Sequence, residues 1–405
     1  MTVPKLRFPE FSDDWTVYKL SDFTKRVTRK NSNNESDLPL TISSLDGLIS
    51  QSSFFDRQIA SKDMSGYFLL KHGEFAYNKS YSKGFEFGSI KRLDKYPMGT
   101  LSTLYICFHL IQNDSDFMKY YFDSLKWYEQ VYRISAEGAR NHGLLNVSPH
   151  DFFSTKHVLP VLPEQKKIAD FLSSFDKRIE TTQKKLATLE KLKKGFMQKI
   201  FSQQLRFKDD DGNEYPAWEE KRLGEVTVKY KGNTLSKDNL DSEGMYPCLL
   251  YGELYTTYGP IASTILSRTN KLEKGMWVSE KDDVVVPVSG ETAIDISTAT
   301  CIKQNGVVIG GDLLILHSSR ILGDFLSYSL NYPLKLTIAK YAQGASIVHM
   351  NIDSLMKVHI KFPSLPEQQK IADFLSAFDK KIDLVRKEVD TLQTIKKGLL
   401  QQMFV

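Results

Sequence analysis

Cysteine is scarce in this chain: three in 405 residues, Cys107, Cys248 and Cys301, each in a different stretch. That excludes a disulfide framework and a paired-cysteine motif, and it fits a reducing compartment. Long apolar runs are missing too. The longest, such as residues 101–111 (LSTLYICFHLI), are too short and too interrupted to span a bilayer. The opening MTVPKLRFPEF holds no apolar core of the signal-peptide kind. The expectation is a cytoplasmic protein. Signatures of catalysis are absent as well. There is no GxxxxGK[ST] phosphate loop, no HExxH zinc helix, no GxSxG elbow, no GxGxxG fingerprint and no [DN]PP[YF] tetrapeptide. The eight histidines show no metal-ligand spacing. Neither an enzyme nor a metal site is expected.

What the chain has is a copy of itself. Residues 162–179 read LPEQKKIADFLSSFDKRI and residues 365–382 read LPEQQKIADFLSAFDKKI, identical at fifteen of eighteen positions and offset by 203. A fainter echo opens each half: LRFPEFSDDW ending at Trp15, and LRFKDDDGNEYPAW ending at Trp218, again 203 apart. Between these anchors, over roughly residues 24–135 and 227–340, no convincing similarity is visible. One frame with two fillings implies one task performed on two targets.

The matched blocks read as long helices. Apolar residues recur at Ile168, Leu172, Phe175, Ile179, Leu186, Leu189, Leu192, Phe196 and Ile200, with Thr182 the one polar member. The second copy gives Ile371, Leu375, Phe378, Ile382, Val385, Val389, Leu392, Ile395, Leu399 and Met403. Steps of three and four define a coiled-coil seam. Pro163 and Pro366 suit a first helical turn, and Glu164 and Glu367 suit the positive end of the helix dipole. Gly195 and Gly398 inside the pattern imply a close helix crossing. Each helix would seek its duplicate. Connectivity is closed most simply by antiparallel helices with pseudo-twofold symmetry, which also brings the chain ends together; a coiled coil between two chains is the alternative.

The fillings read as α/β. Strand-like stretches are 101–110, 276–278, 284–288 and 312–316; helical ones are 116–132 and 321–331. Net charge is +2 for residues 1–162, +5 for 163–201, −3 for 202–365 and +1 for 366–405. A free-standing DNA binder carries a clear basic footprint. The acidic second block favours instead a subunit of a larger complex.

With its variable blocks, its paired LPEQ–IADFL elements and its long helices, the whole chain resembles the specificity subunits of type I restriction–modification systems. That resemblance implies two α/β target recognition domains, at 1–160 and 205–363, joined by spacer helices at 161–204 and 364–405 that form an antiparallel coiled coil. It implies partners: double-stranded DNA with a bipartite target, two modification (methyltransferase) subunits, and restriction subunits reached through the complex. S-adenosylmethionine is expected on the modification subunits and no cofactor on this chain. Ile168, Leu172, Phe175, Ile179, Ile371, Leu375, Phe378 and Ile382 would form the helix contact.

Base readout needs amide, hydroxyl, carboxylate or guanidinium groups on exposed loops. In the first block these are Asn78, Lys79, Tyr81, Ser82 and Lys83, then Arg140, Asn141 and His142 between glycines in the closing loop. Lys79 and Lys83 suit phosphates; Asn78 and Ser82 suit bases. The second block offers Ser289, Glu291 and Thr292 in VPVSGETAID, with Ser346 and His349 in its closing loop. Arg26, Arg29 and Lys30 form a basic patch, and Lys184, Lys185, Lys191, Lys193 and Lys194 charge the first helix. A solvated surface explains such groups equally well. The competing reading is a duplicated coiled-coil scaffold without DNA recognition, which the acidic second block favours.

Overall fold

A computed structural model describes residues 3–55, 61, 63–135, 145–344 and 347–405. The chain divides into two compact units: Met1–Gln183 with Lys387–Val405, and Lys184–Arg386. Each therefore contains one block and part of both long helices.

The first unit places β1 (Thr16–Lys19), β2 (Thr24–Arg26), β3 (Phe75–Asn78), β4 (Ser89–Arg92), β5 (Ile106–Leu110), α1 (Ser115–Asp123), β6 (Lys156–Leu159) and the start of α2 (Leu162–Phe201). Its main sheet has the antiparallel order β2-β5-β3-β4, and β1 pairs with β6 in a separate ribbon. Smaller hairpins pair Leu40–Ser43 with Gly47–Ser50 and Phe68–Lys71 with Met98–Leu101. The strand expected over 101–110 is broken. Its first residue pairs with Phe68, a turn closes from Tyr105 N–H to the Ser102 carbonyl, and Ile106 enters the main sheet. The helix expected over 116–132 is also broken. Leu125 adopts a left-handed φ of 62° and Trp127 inserts into the core, its indole donating to the Phe122 carbonyl at 2.8 Å. A second helix runs over Tyr128–Ser135.

The second unit repeats the plan with β7 (Glu219–Arg222), β8 (Val228–Lys231), β9 (Val284–Pro287), β10 (Thr300–Ile302), β11 (Leu313–His317), α3 (Gly323–Asn331), β12 (His359–Phe362) and the start of α4 (Leu365–Gln402). The sheet order is β8-β11-β9-β10, the counterpart of β2-β5-β3-β4, with Ile261–Ala262 added on the edge. The β7–β12 ribbon has the register of β1–β6, shifted by 203 residues: Thr16 faces Leu159, and Glu219 faces Phe362. Residues 276–278 form no strand. Val278 makes only an isolated bridge to Val308, and Trp277 stacks on Tyr230 at 3.7 Å.

Within each unit the long helices run antiparallel. In the first, Asp176 meets Lys396 and Arg178 meets Glu388. In the second, Glu190 meets Arg386 and Lys193 meets Asp379. Residue numbers rise on one helix as they fall on the other. Leu6 N–H donates to the Gln402 carbonyl at 2.9 Å, so the N-terminal LRF segment continues from the end of α4 much as Leu205 does from α2, through the Lys199 carbonyl.

The seam differs from its sequence reading in three respects. Ile168 and Leu172 are buried in the core of the first block together with Met403 and Phe404; Ile371 and Leu375 join the second core with Met197 and Ile200. The helix ends are thus walls of the blocks. Phe175 and Ile179 are half-buried, Phe175 on the Phe171 ring. Only Phe378 and Ile382, with Val385, Leu186 and Leu189, make a helix-on-helix cluster of their own. Leu192 and Ile395 are 47% and 44% exposed, because the residue that follows each, Lys193 and Lys396, turns inward to a carboxylate instead. And no close crossing occurs at the glycines: a Cβ on Gly195 would meet nothing within 4 Å, and one on Gly398 only the tip of Gln402.

Candidate nucleic-acid interface and the docking of the blocks

The loops that follow β3 and β9 leave equivalent strands, so the two sets of candidate readers occupy matching places. In the first, Asn78 closes β3 and its side-chain oxygen accepts from Ser80 N–H at 3.0 Å. Gly88 packs against it with φ 79°; a Cβ there would lie 2.0 Å from the Asn78 carbonyl oxygen. Lys79 turns inward. Its ammonium lies 3.4 Å from the Val147 carbonyl, its own carbonyl accepts from Leu145 N–H, and burial holds its pKa below the usual lysine range. These contacts tie it to the loop. Ser82 shares a 3.0 Å hydroxyl contact with Ser44. Tyr81 and Lys83 remain exposed. Arg140, Asn141, His142 and Ser346 lie outside the described residues.

In the second block, Ser289 and His349, sixty positions apart, face each other across an antiparallel pair. The Ser289 hydroxyl donates to Asp312 at 3.1 Å and lies 3.0 Å from His349 Nδ1. Serine stands between the carboxylate and the imidazole, so this is a hydrogen-bonded support and not a nucleophile–base–orienter chain. Thr292 donates to Asp295 at the start of a short helical turn, and Glu291 is exposed. Of the basic patch, Arg29 is bound to Glu74 and the Leu69 carbonyl, and Lys30 to the Gly66 carbonyl; Arg26 is exposed. Lys193 is committed to Asp379, while Lys185, Lys191 and Lys194 face solvent. Asp282, Cys301 and Asp324 approach one another closely enough to suggest a metal. The Lys303 ammonium, however, already bonds both carboxylates.

The LPEQ element has a structural meaning. Its glutamate is buried at the start of each long helix and grips the arginine of the LRF segment with two parallel bonds. Glu164 receives Arg7 at 2.8 and 2.8 Å, and Glu367 receives Arg206 at 2.7 and 2.7 Å. The carboxylate bond holds both guanidinium pKa values above the usual range. Bidentate geometry of this kind is strong and directional. The glutamine joins helix to block. Gln165 accepts from Asp114 N–H at 2.9 Å and donates to the Pro160 carbonyl; Gln368 accepts from Leu322 N–H at 2.8 Å and donates to the Pro363 carbonyl.

Asp114 and Leu322 are the N-caps of α1 and α3. Six residues on, Tyr120 donates to Asp176 and Tyr328 to Asp379, each at 2.6 Å. Lys396 and Lys193 reach the same carboxylates while lying 5.3 Å over the tyrosine rings. Burial, reinforced by these carboxylates, raises both phenol pKa values. Two residues past each cap, Asp116 pairs with Arg92 at the end of β4 and Asp324 with Lys303 just past β10. Three past it, Phe117 and Phe325 are fully buried. The helices read SDFMKYYFD and GDFLSYSLN. This is a third repeated element, inside the fillings, that the sequence reading overlooked.

A family model described as the type I restriction modification DNA specificity domain matches residues 12–191 and again 216–394. The chain is 27% identical to a putative type I restriction enzyme MjaX specificity subunit of Methanocaldococcus jannaschii, over 98% of this chain and 94% of that one. It is 28% identical to the type I restriction enzyme MjaVIII specificity subunit of the same organism, over 69% of this chain and 68% of that one. The crystal structure of a type I restriction–modification S subunit from M. genitalium shares its fold. The TM-score is 0.59 at 18% identity, with 100% and 99% of the two chains covered. A chain from a structural study of type I complex assembly and conformational transition gives a TM-score of 0.55 at 19% identity, covering 96% and 97%.

Proposed function

The chain belongs to the DNA specificity family of type I restriction–modification systems, and we propose that each of its blocks reads one half of a split DNA target. The carrying observation is the repeated docking. Two blocks of one topology but different fillings are seated on duplicated helices by matching polar contacts. Different loops on a common frame read different bases. The chain itself performs no chemistry; methyl transfer, with S-adenosylmethionine, belongs to two modification subunits docked on it, and cleavage to restriction subunits that join through them. Phosphate neutralisation is shared with those partners, which accounts for a second block that is net acidic. The α2 and α4 helices, 40 and 38 residues long, run without interruption from one unit into the other and act as the ruler for the unread spacer.

Methylome sequencing tests this in a host expressing the chain with its modification subunit, beside a host lacking the chain. The expected result is a split motif methylated only when the chain is present. An assembled, active methyltransferase whose methylation pattern ignores the chain would leave only the scaffold reading.

A further inference from the structure

Each block is held on its helices by two different kinds of contact. The apolar part is large: Phe117, Met118 and Tyr121 of α1 with Ile168, Leu172 and Phe404 in one unit, Phe325, Leu326 and Leu330 of α3 with Met197, Ile200 and Ile371 in the other. Burial of this sort is strong but non-directional. It does not by itself specify how far along the long helix a block sits, since cores tolerate rearranged packing before they lose stability. The polar part is small and specific. On α2 the two polar points are Gln165 and Asp176; on α4 they are Gln368 and Asp379. In both helices they are eleven residues apart, about 16 Å at 1.5 Å per residue. On the block side they are met by a helix N-cap amide and the tyrosine six positions later. Two fixed points on a line determine both position and direction. Slipping the block by a residue would leave a carboxylate and a phenol without each other in a half-buried site, where unmade bonds are costly.

We propose that α1 and α3 are docking helices, and that Tyr120 and Tyr328 are positioning residues that set the register of each block on its helix pair. The blocks differ almost everywhere else, yet both carry the cap, Asp, Phe and Tyr at the same relative positions. The reading loops lie outside this element. A block is interchangeable to the extent that it brings such a helix. Its register then decides where a reading loop falls along the duplex, so a relaxed register blurs the length of the unread spacer and leaves the half-site bases alone. This last step rests on the function proposed above.

The test compares Tyr328→Phe with Leu330→Ala in the full chain with its modification subunit. The first removes one hydroxyl and keeps the ring. The second trims the same helix's apolar packing within the block core and spares both polar points. Tyr328→Phe is expected to raise the fraction of methylated sites with an off-length spacer about tenfold, the factor that one hydrogen bond to a charged group is worth. Both half-sites stay intact, and Leu330→Ala lowers Tm without moving the spacer. An unchanged spacer in Tyr328→Phe, or the same relaxation in both variants, overturns the proposal. A second readout does not depend on DNA. Nitroxides on Ser242→Cys and Lys381→Cys, both exposed sites of the second unit, report the distance from block to helix. The native cysteines are buried, with Cys107 and Cys248 thiols pushed up to about 12 and about 11, and take no label. A shifted or broadened distance in Tyr328→Phe supports the register role; an unchanged one sinks it, even if the wild-type chain yields no split motif and the DNA reading itself falls.

Discussion

The two units are built on one plan from different materials. The first has an aromatic core in which Phe75 stacks on Phe108 at 5.5 Å and Tyr77 on Phe152 at 4.8 Å, with Trp15 and Trp127 filling the remainder. The second is largely aliphatic, built from Val284, Val286, Leu314, Leu316 and Leu326 around Phe325. Sheet order, ribbon register, docking helix and helix-start ion pair are nonetheless the same. Interior volume can be filled in many ways if size and pattern are respected, whereas a bidentate ion pair or a capped helix admits few substitutes. Duplication followed by divergence has therefore kept the polar joints and replaced the filling.

The joints are where the comparison can be broken most sharply. Replacing Glu164 or Glu367 by Gln leaves a partly exposed guanidinium opposite a buried neutral amide. Because the arginine reaches solvent, the loss is about 3 kcal/mol, the low end for breaking a buried pair. Either variant should lower the stability of its own unit by that order and leave the other unit much less affected, as resolved by hydrogen exchange on the full chain. Equal losses in both units would mean that the pair is not local to the block it anchors.

Acid should separate the units next. His157 lies wholly inside the first, between the Tyr121 hydroxyl at 2.8 Å and the Thr155 hydroxyl at 2.8 Å, and burial lowers its pKa to about 3. Its counterpart at the shared offset is Ile360, which does not titrate. With a folded pKa below the unfolded one, the unfolded chain binds more protons between about 6.5 and 3. Stability is full above that window and falls as pH drops through it, by about 1.4 kcal/mol per unit at most. Between pH 7.5 and 5 the first unit should lose about 2 kcal/mol through this group. Asp283 of the second unit carries the opposite sign: burial raises its pKa, against a bond from His317, so acidification through its range favours the folded form. Exchange protection at the two pH values, corrected for intrinsic rates, should fall more in the first unit. A parallel fall would show that His157 opens to water.

Much of this was legible in the residues because the frame is duplicated at a constant 203. The long helices, the LPEQ element and the matched tryptophans could be aligned by eye, and their partnership followed. The docking helix was missed for a definite reason. Its copies are 208 apart, since the loops before them differ in length by five, and only Asp, Phe and Tyr survive as identities. Aligning DFMKYYF with DFLSYSL at a free offset would have found it. Heptad counting placed Leu192 and Ile395 inside because it scores apolarity; it had no means to value a lysine whose carboxylate partner lies on another helix. The reading loops were legible only as composition. That Ser289 and His349 meet follows from strand pairing over sixty residues, and that Lys79 turns inward follows from the carbonyl of Val147, which no local spacing announces.

The matched tryptophans supply the smallest test. Trp15 donates its indole N–H to Glu164 at 3.3 Å, adding a third bond to that carboxylate. Trp218 holds the equivalent place beside Arg206, 6.0 Å from its ring, but its indole N–H is buried without a partner. Trp15 is buried and Trp218 only half-buried, so Trp→Phe removes more buried apolar area at position 15. The polar contrast runs the same way. At position 15 the substitution discards a hydrogen bond to a charged group; at 218 it discards a donor already unsatisfied. Trp15→Phe should therefore be more destabilising than Trp218→Phe by at least about 1.5 kcal/mol, read as the difference between the two units' unfolding free energies. If Trp218→Phe proves as costly, the two indoles are equally well bonded and the second joint is as complete as the first.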